Sequence, residues 1–348
     1  MSASTEPMLR VGTLGAARIA PTALLKPARD VHGVEVMAVA ARDRSKAHTF
    51  ATKHGIPRVL DSYEQLIADP DIDAIYNPLP NGLHGHYTIA ALEAGKHVLC
   101  EKPFTANADE AEAVAAVAAR HPELVLMEAF HWRYHPLAER IRGIISSGEL
   151  GKVRNIETFM CIPLPLPNDI RYDIGLAGGA LMDTGCYAIH QLRAFADATG
   201  AGEPHVAKAE AKTLHKRPEI DRWIRAELDF DSAGEARLRG RIHASLWSGV
   251  GLRITVRVTG NAGELRCLNV TQPHVYHRAS IRTATGRTSV HDPDKRSTYW
   301  HQLGAFAAVI AGDRSHLLTG TDDSVANMRV IDDVYRAAGL EPRRPTAV

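Results

Sequence analysis

Up to about residue 127 the chain alternates short apolar runs with helix-forming stretches, and no other feature restricts its fold as strongly. Strand-type runs are read at Leu9–Leu14, Val34–Ala40, Arg58–Leu60, 72–76, 98–100 and 124–127. Helices are expected between them, at 45–54, Tyr63–Ala68, 86–94 and 106–120. Gly55 and Gly95 sit where a helix stops in the left-handed conformation. Strands separated by helices with short connections indicate a parallel, doubly wound sheet. Ligands of such sheets bind in the crevice outside the carboxyl ends of the strands.

The residues at those ends carry chemistry. The first run enters Gly12-Thr13-Leu14-Gly15-Ala16-Ala17-Arg18-Ile19-Ala20, a Gly-x-x-Gly-x-Ala relative of the dinucleotide fingerprint. Small residues there let a pyrophosphate approach the backbone and let the next helix pack closely. Pro21 and Pro27 suit only a first helical turn or a break, so a short turn and a new start near Pro21 are expected. The second run closes at Ala41-Arg42, where an acidic residue would hold the ribose 2′-hydroxyl of NAD. An arginine stacks on adenine and pairs with a 2′-phosphate, which favours NADP(H) over NAD(H). Asn81 and His84 follow the run at 72–76: they form either an Asn-Gly turn with a capping histidine or a contact to nicotinamide or substrate. The run at 98–100 ends in Glu101-Lys102-Pro103, which aims the Lys102 ammonium into the crevice, with Glu101 as its electrostatic support. Pro103 is expected to fix the turn, through a cis bond if the geometry demands one.

Beyond residue 130 the pattern changes. Ile224, Ala226, Leu228 and Phe230 alternate with charged residues, as do Leu238, Gly240, Ile242 and Ala244. Leu252, Ile254, Val256 and Val258 repeat the pattern. Period-two alternation with a polar face signals a mainly antiparallel sheet covered on one side. The reading is two domains, 1–130 and 131–348, the second of α+β type, with a C-terminal helix at about 321–338 able to pack back on the first. Gly178-Gly179 precedes a helix expected from Ala180, on which Asp183, Tyr187 and His190 would share one face. Such groups are costly to bury unless they work together. His131 and His135, four apart, have metal-ligand spacing but no third ligand nearby, so no metal site is expected; packing or substrate contact is favoured.

The balance of 41 basic against 40 acidic residues gives no reason to expect nucleic acid as a partner. The arginine-rich strand faces read as solvated surface or a subunit interface. No apolar run approaches the ~20 residues of a membrane helix. Met1–Pro7 is polar and lacks the apolar core of a signal peptide. The four cysteines form no Cys-x-x-Cys pair, so a cytoplasmic location with reduced thiols is expected.

Taken in order, Gly12–Ala20, Asn77–His84, Glu101–Pro103, Gly178–His190 and Asn327–Asp332 resemble the glucose–fructose oxidoreductase / inositol dehydrogenase / MocA (Gfo/Idh/MocA) family of NAD(P)-dependent oxidoreductases. Leu79–His84, Met127–Phe130 and Gly185–Tyr187 point to its branch of dihydrodiol dehydrogenases, NADP-dependent xylose dehydrogenases and ketosugar reductases. The resemblance implies a Rossmann domain and a substrate domain whose open-faced sheet builds homodimers or homotetramers. It implies cofactor contacts from Gly12, Gly15, Ala16, Ala17, Arg18, Ile19 and Arg42, and from Pro78, Leu79, Asn81, His84, Glu101 and Lys102. Lys102, Asp183 and Tyr187 become the catalytic set; Arg133, Arg171 and His190 join them around the substrate. Tyr187 stands where inositol dehydrogenases have a catalytic histidine, and His190 where many relatives have aspartate. On this reading Tyr187 is the acid/base and Lys102 favours its phenolate. The expected activity is NADP(H)-dependent hydride transfer at a carbinol or carbonyl carbon of a sugar or polyol. The alternatives are trans-dihydrodiol oxidation, family-type glycoside cleavage that retains NAD, and a non-catalytic NADP-binding regulatory role.

Overall fold

The apolar runs of the N-terminal half become strands buried on both faces. The computed structural model describes residues 8–166, 168–231 and 237–348, so Met1–Pro7 lies outside the described residues. The first strands are β1 (Leu9–Leu14), β2 (Val34–Ala40), β3 (Arg58–Leu60), β4 (Ala74–Asn77), β5 (His97–Cys100) and β6 (Leu126–Glu128). They form one parallel sheet in the order β3-β2-β1-β4-β5-β6. This is the Rossmann arrangement, with its switch point between β1 and β4.

A wide π-type turn, Pro21–Leu25, runs into α1 (Lys26–Asp30), which accommodates both prolines in first-turn positions. The other helices of this half are α2 (Arg44–His54), α3 (Tyr63–Ala68), α4 (His84–Glu93) and α5 (Ala108–Arg120). Asp43, Ser62 and Asn107 cap α2, α3 and α5 through their side chains. Leu14, Ile75, Val98 and Cys100 pack on the α3–α5 side, while Val11, Val39, Tyr76, Leu99 and Met127 face the opposite layer.

After α6 (Pro136–Ser146) come β7 (Val153–Cys161) and α7 (Cys186–Asp197). The remaining strands are β8 (Pro204–Leu214), β9 (Arg217–Phe230), β10 (Leu238–Ser245), β11 (Arg253–Gly260), β12 (Gly263–Leu268), β13 (Arg278–Thr283) and β14 (Gly286–Val290). Their order is β14-β13-β12-β11-β7-β10-β9-β8. Only the central β7–β10 pair is parallel among the described residues; the other pairs are antiparallel. Ile156, Ile242, Ala244, Val256 and Val258 are buried on the face that α7 covers. The opposite face carries Glu157, Glu227, Arg241 and Arg257 in a ladder of ion pairs.

The last helices are α8 (Thr298–Ile310) and α9 (Thr321–Ala337). Tyr299, Leu303, Phe306 and Val309 of α8 complete the second layer of the parallel sheet. Asp332 of α9 accepts a hydrogen bond from the Ala108 amide at the start of α5 (3.0 Å). Of the two C-terminal helices, α8 therefore packs on the parallel sheet, while α9 packs between α5 and β8 of the second sheet.

Candidate active site

Gly15 turns the chain out of β1 at φ +82°, its amide donating to the Ala40 carbonyl (2.6 Å). That φ favours glycine, and a Cβ at Gly15 would also press on Leu79 Cδ2 at 3.3 Å, across the crevice in the loop after β4. Ala16 and Ala17 are partly exposed beyond it, and Arg18 and Ile19 are open to solvent. Arg42 is exposed at the end of β2, close enough to the Tyr63 phenol to favour its ionised form. Pro78 and Leu79 form the far wall. A bare backbone turn at the switch point, small residues after it and an exposed arginine at the β2 end fit a dinucleotide with a 2′-phosphate. Gly12, by contrast, is a packing position within β1, where a Cβ would strike Leu66.

Across the crevice, β5 delivers Lys102 by way of a cis Lys102–Pro103 peptide. The Lys102 ammonium donates to the Asp183 carbonyl (2.9 Å) and to Asp183 Oδ1 (3.3 Å). Asp183 Oδ2 pairs with Arg171 Nε at 3.0 Å. Arg171 Nη1 and Arg18 Nη2 each meet Asp169 at 3.0 Å, so alternating charges run from the glycine turn to Lys102. Burial alone would lift the Asp183 carboxyl, but Lys102 and Arg171 hold it below its usual value. Burial also works against the Lys102 ammonium, and Asp183 more than offsets it, so Lys102 stays charged. Lys102 Nζ stands 4.9 Å from the centre of the Tyr187 ring. It meets the ring face, not the hydroxyl. The Tyr187 hydroxyl instead hydrogen-bonds His131 Nε2 (2.9 Å).

With this geometry in place, two family models match in succession. Residues 9–129 match an oxidoreductase family with an NAD-binding Rossmann fold, and residues 138–266 match the C-terminal domain of the same family. The chain belongs to the Gfo/Idh/MocA oxidoreductase family. It is 36% identical to the NADP(+) D-xylose 1-dehydrogenase 2 of Haloferax volcanii, over 94% of this chain and 96% of that one. It is 37% identical to trans-1,2-dihydrobenzene-1,2-diol dehydrogenase of Xenopus laevis over 61% of this chain and 62% of that one. Among solved structures it resembles KijD10, a 3-ketoreductase from Actinomadura kijaniata in complex with NADP and TDP-benzene. That match has TM-score 0.84 and 27% identity, and covers 95% of this chain and 98% of that one.

Several residues expected at this Gfo/Idh/MocA site are engaged elsewhere. Burial pushes the Tyr187 phenol well above its ordinary value, with Tyr299 and Glu101 adding to the effect. A resting phenolate favoured by Lys102 is therefore replaced by a neutral phenol. Glu101 is buried, accepts a hydrogen bond from the Tyr76 hydroxyl (2.7 Å) and is itself raised by burial, so it sits behind the lysine. His84 bridges the Leu79 and Pro103 carbonyls, each at 2.7 Å, leaving no ring nitrogen for a ligand. Burial pushes it down to about 4, against the pull of both carbonyls. Its position ties the loops after β4 and β5 together. Asn81 donates to the Ala177 carbonyl (3.1 Å) and so joins the two halves of the crevice.

His190 is the largest departure. Trp132 Nε1 donates to its Nδ1 (3.0 Å), which fixes the Nε2–H tautomer facing Asp323 (2.9 Å). Its ring stacks on Phe130 at 3.9 Å. His190 shares a face with Tyr187, both rings lying against Phe130. One turn further along α7, however, it is held by Trp132 and Asp323 instead of facing the crevice, while Asp183 stands ahead of α7 in the π-type turn Leu181–Gly185. Arg133 turns toward α6, with Nη1 3.6 Å from Glu139. His131 was placed among packing or substrate-contact residues by sequence; the structure puts it on the Tyr187 hydroxyl and, through Nδ1, on Thr298 Oγ1 (2.7 Å). The sequence signal for it was a histidine just past the last strand of the parallel sheet, where side chains line the crevice.

Proposed function

We propose that this protein is an NADP(H)-dependent oxidoreductase that moves a hydride between nicotinamide and a carbinol or carbonyl carbon of a sugar or related polyol. The observation that carries this reading is the meeting of a charge-stabilised Lys102, Asp183 and a neutral Tyr187 at the carboxyl end of β5, across from the Gly15 turn. The turn from Gly15 to Ile19 and the Leu79 wall would hold the pyrophosphate, and Arg42 the 2′-phosphate. When bound, the nicotinamide supplies or accepts the hydride. Lys102 steadies the negative charge that develops on the substrate oxygen. Asp183 is left to accept a neighbouring substrate hydroxyl, a demand that polyhydroxylated substrates meet. Tyr187 gives or takes the carbinol proton as a neutral phenol. The name of the Haloferax relative supports a pentose-like sugar and NADP(+). A cytoplasmic enzyme is in keeping with four buried free thiols and with no helix among the described residues long and apolar enough to cross a membrane.

The deciding experiment measures NADP⁺ and NAD⁺ reduction across aldoses, polyols and trans-dihydrodiols, with NADPH oxidation by ketosugars alongside. Turnover of a sugar or polyol with NADP preferred is expected. Turnover confined to dihydrodiols would replace the substrate class. Equal use of NAD, or no loss of NADP preference in Arg42→Ala, would remove the Arg42 assignment. Tyr187→Phe should lower kcat by about 10²–10⁴-fold with NADPH binding intact; unchanged turnover would remove Tyr187 as acid/base.

A further inference from the structure

We propose that His131 is the positioning residue and proton partner of the Tyr187 hydroxyl, held in place by Thr298; this rests on Tyr187 being the acid/base.

His131 is 1% exposed and has one hydrogen-bond partner on each ring nitrogen. Tyr187 on α7 meets Nε2, and Thr298 at the start of α8 meets Nδ1. Tyr299 lies against the imidazole, with ring centres 4.1 Å apart. These contacts come from separate elements, so the ring cannot swing away without breaking both. Lys102 and His274 are the charged and titratable neighbours, and with burial they keep the imidazole neutral. A neutral ring carries one N–H and one bare nitrogen. With its N–H toward Thr298, the bare Nε2 accepts the Tyr187 proton and leaves a phenol lone pair facing the crevice.

This arrangement answers a difficulty in the chemistry. A phenol pushed up by burial makes a poor base if it must first ionise. Coupled to His131 it need not. In the oxidative direction the carbinol O–H bond breaks as Tyr187 Oη takes that proton. Tyr187 gives its own proton to His131 Nε2, which becomes imidazolium. With nicotinamide bound as the two-electron oxidant, the same carbon would give up its hydride to it and become a carbonyl. After product departs, the imidazolium returns its proton through Tyr187 to water. Burial and the Lys102 charge both raise the cost of this imidazolium, so it forms only in concert with departure of the hydride and is discharged as soon as product leaves.

The test combines a double-mutant cycle with a direct view of the ring. His131→Gln, Tyr187→Phe and the double variant are compared, with Thr298→Val as a milder variant that leaves both partners present. Expected for His131→Gln is a kcat about 10²-fold lower, with KM and NADPH binding little changed. In the Tyr187→Phe background the same substitution should cost almost nothing further, because the residues act as a unit. In ¹⁵N-histidine-labelled full-length protein, the His131 Nε2 resonance should be that of an acceptor nitrogen and should move in Tyr187→Phe. A His131→Gln enzyme with wild-type kcat, an equal loss in the Tyr187→Phe background, or an Nε2 resonance unmoved by Tyr187→Phe would each overturn the proposal. Wild-type turnover by Tyr187→Phe alone would instead overturn the acid/base reading beneath it. If His131→Gln does not fold, the Thr298→Val cycle and the resonance shift decide.

Discussion

Lys102 and Asp183 hold each other's charge, and the consequence can be measured. Lys102 and Arg171 keep the Asp183 carboxyl low against its burial. Lys102→Met removes the first of these cations and leaves Arg171 alone on Oδ2. The Asp183 pKa then rises, so the acidic limb of the residual activity profile should move to higher pH, with kcat/KM down by about 10²-fold or more. An acidic limb that stays in place would mean that Asp183 does not titrate in the rate. At this scale the sequence revealed what was local. Glu101-Lys102-Pro103 and the Asp183 motif are contiguous patterns, and the structure brings their side chains together. The Tyr187–His131 bond joins residues 56 apart on separate elements, and no spacing rule announces it. His190 went astray for the same reason. Its partners, Trp132 and Asp323, lie 58 and 133 residues away in the chain, and no local pattern in α7 announces them.

At the scale of elements, the junction of β6 with α9 carries an unusual acid. Glu128 is 1% exposed, and the pull of its hydrogen-bonding neighbours, Ser324 and the Phe104 backbone, is outweighed by burial. Burial pushes it up to about 8. The unfolded chain ionises this carboxyl near its ordinary value of 4.5, whereas the fold keeps it protonated until about 8. Between those values the unfolded state binds fewer protons, so stability falls as pH rises, by about 2–5 kcal/mol across the window. Glu128→Gln should remove that slope: equal to wild type near the acid end of the window, it should melt higher than wild type above pH 8. Parallel melting curves for the two proteins would show that the carboxyl is already ionised in the fold. Element order was legible because each β-strand of the parallel sheet is an apolar run set off by glycines and caps. The layer formed by α8 was not, since nothing in residues 298–310 says which of two sheets they cover. Pro136 occupies the first turn of α6, where its missing N–H is harmless.

At the scale of the molecule, the uncovered face of the second sheet has the arginine-rich, charge-paired character of an interface rim, and Arg253 stacks 3.5 Å over Phe159. We expect copies to associate through it, so sedimentation should give a dimer or larger species and Arg241→Glu should shift it toward monomer. A second whole-chain device is the C-terminal tail, which crosses back over both halves. Arg343 donates to the Gly178 carbonyl (2.6 Å) and pairs with Asp221 (2.5 Å), with both side chains almost wholly buried. Asn107 at the start of α5 donates to the Arg343 carbonyl (2.7 Å). Thr346 bonds Gly82 on one side of the crevice and Gly175 on the other. Gly179, at φ +138°, exists to let this happen: a Cβ there would collide with Asp221 and Arg343. The tail thus braces the turn that leads to Asp183. Removing one member of a buried pair strands the other charge, so Arg343→Met should cost about 3–5 kcal/mol in urea unfolding. Asp221→Asn in the same chain removes that stranded carboxylate while keeping an oxygen for the Leu181 amide, which now bonds Asp221 Oδ2 at 2.7 Å. The double variant should therefore be more stable than Arg343→Met alone. If the second substitution makes matters worse, the Leu181 amide and the Tyr335 hydroxyl hold the Asp221 carboxylate without Arg343, and the stranded-charge account fails.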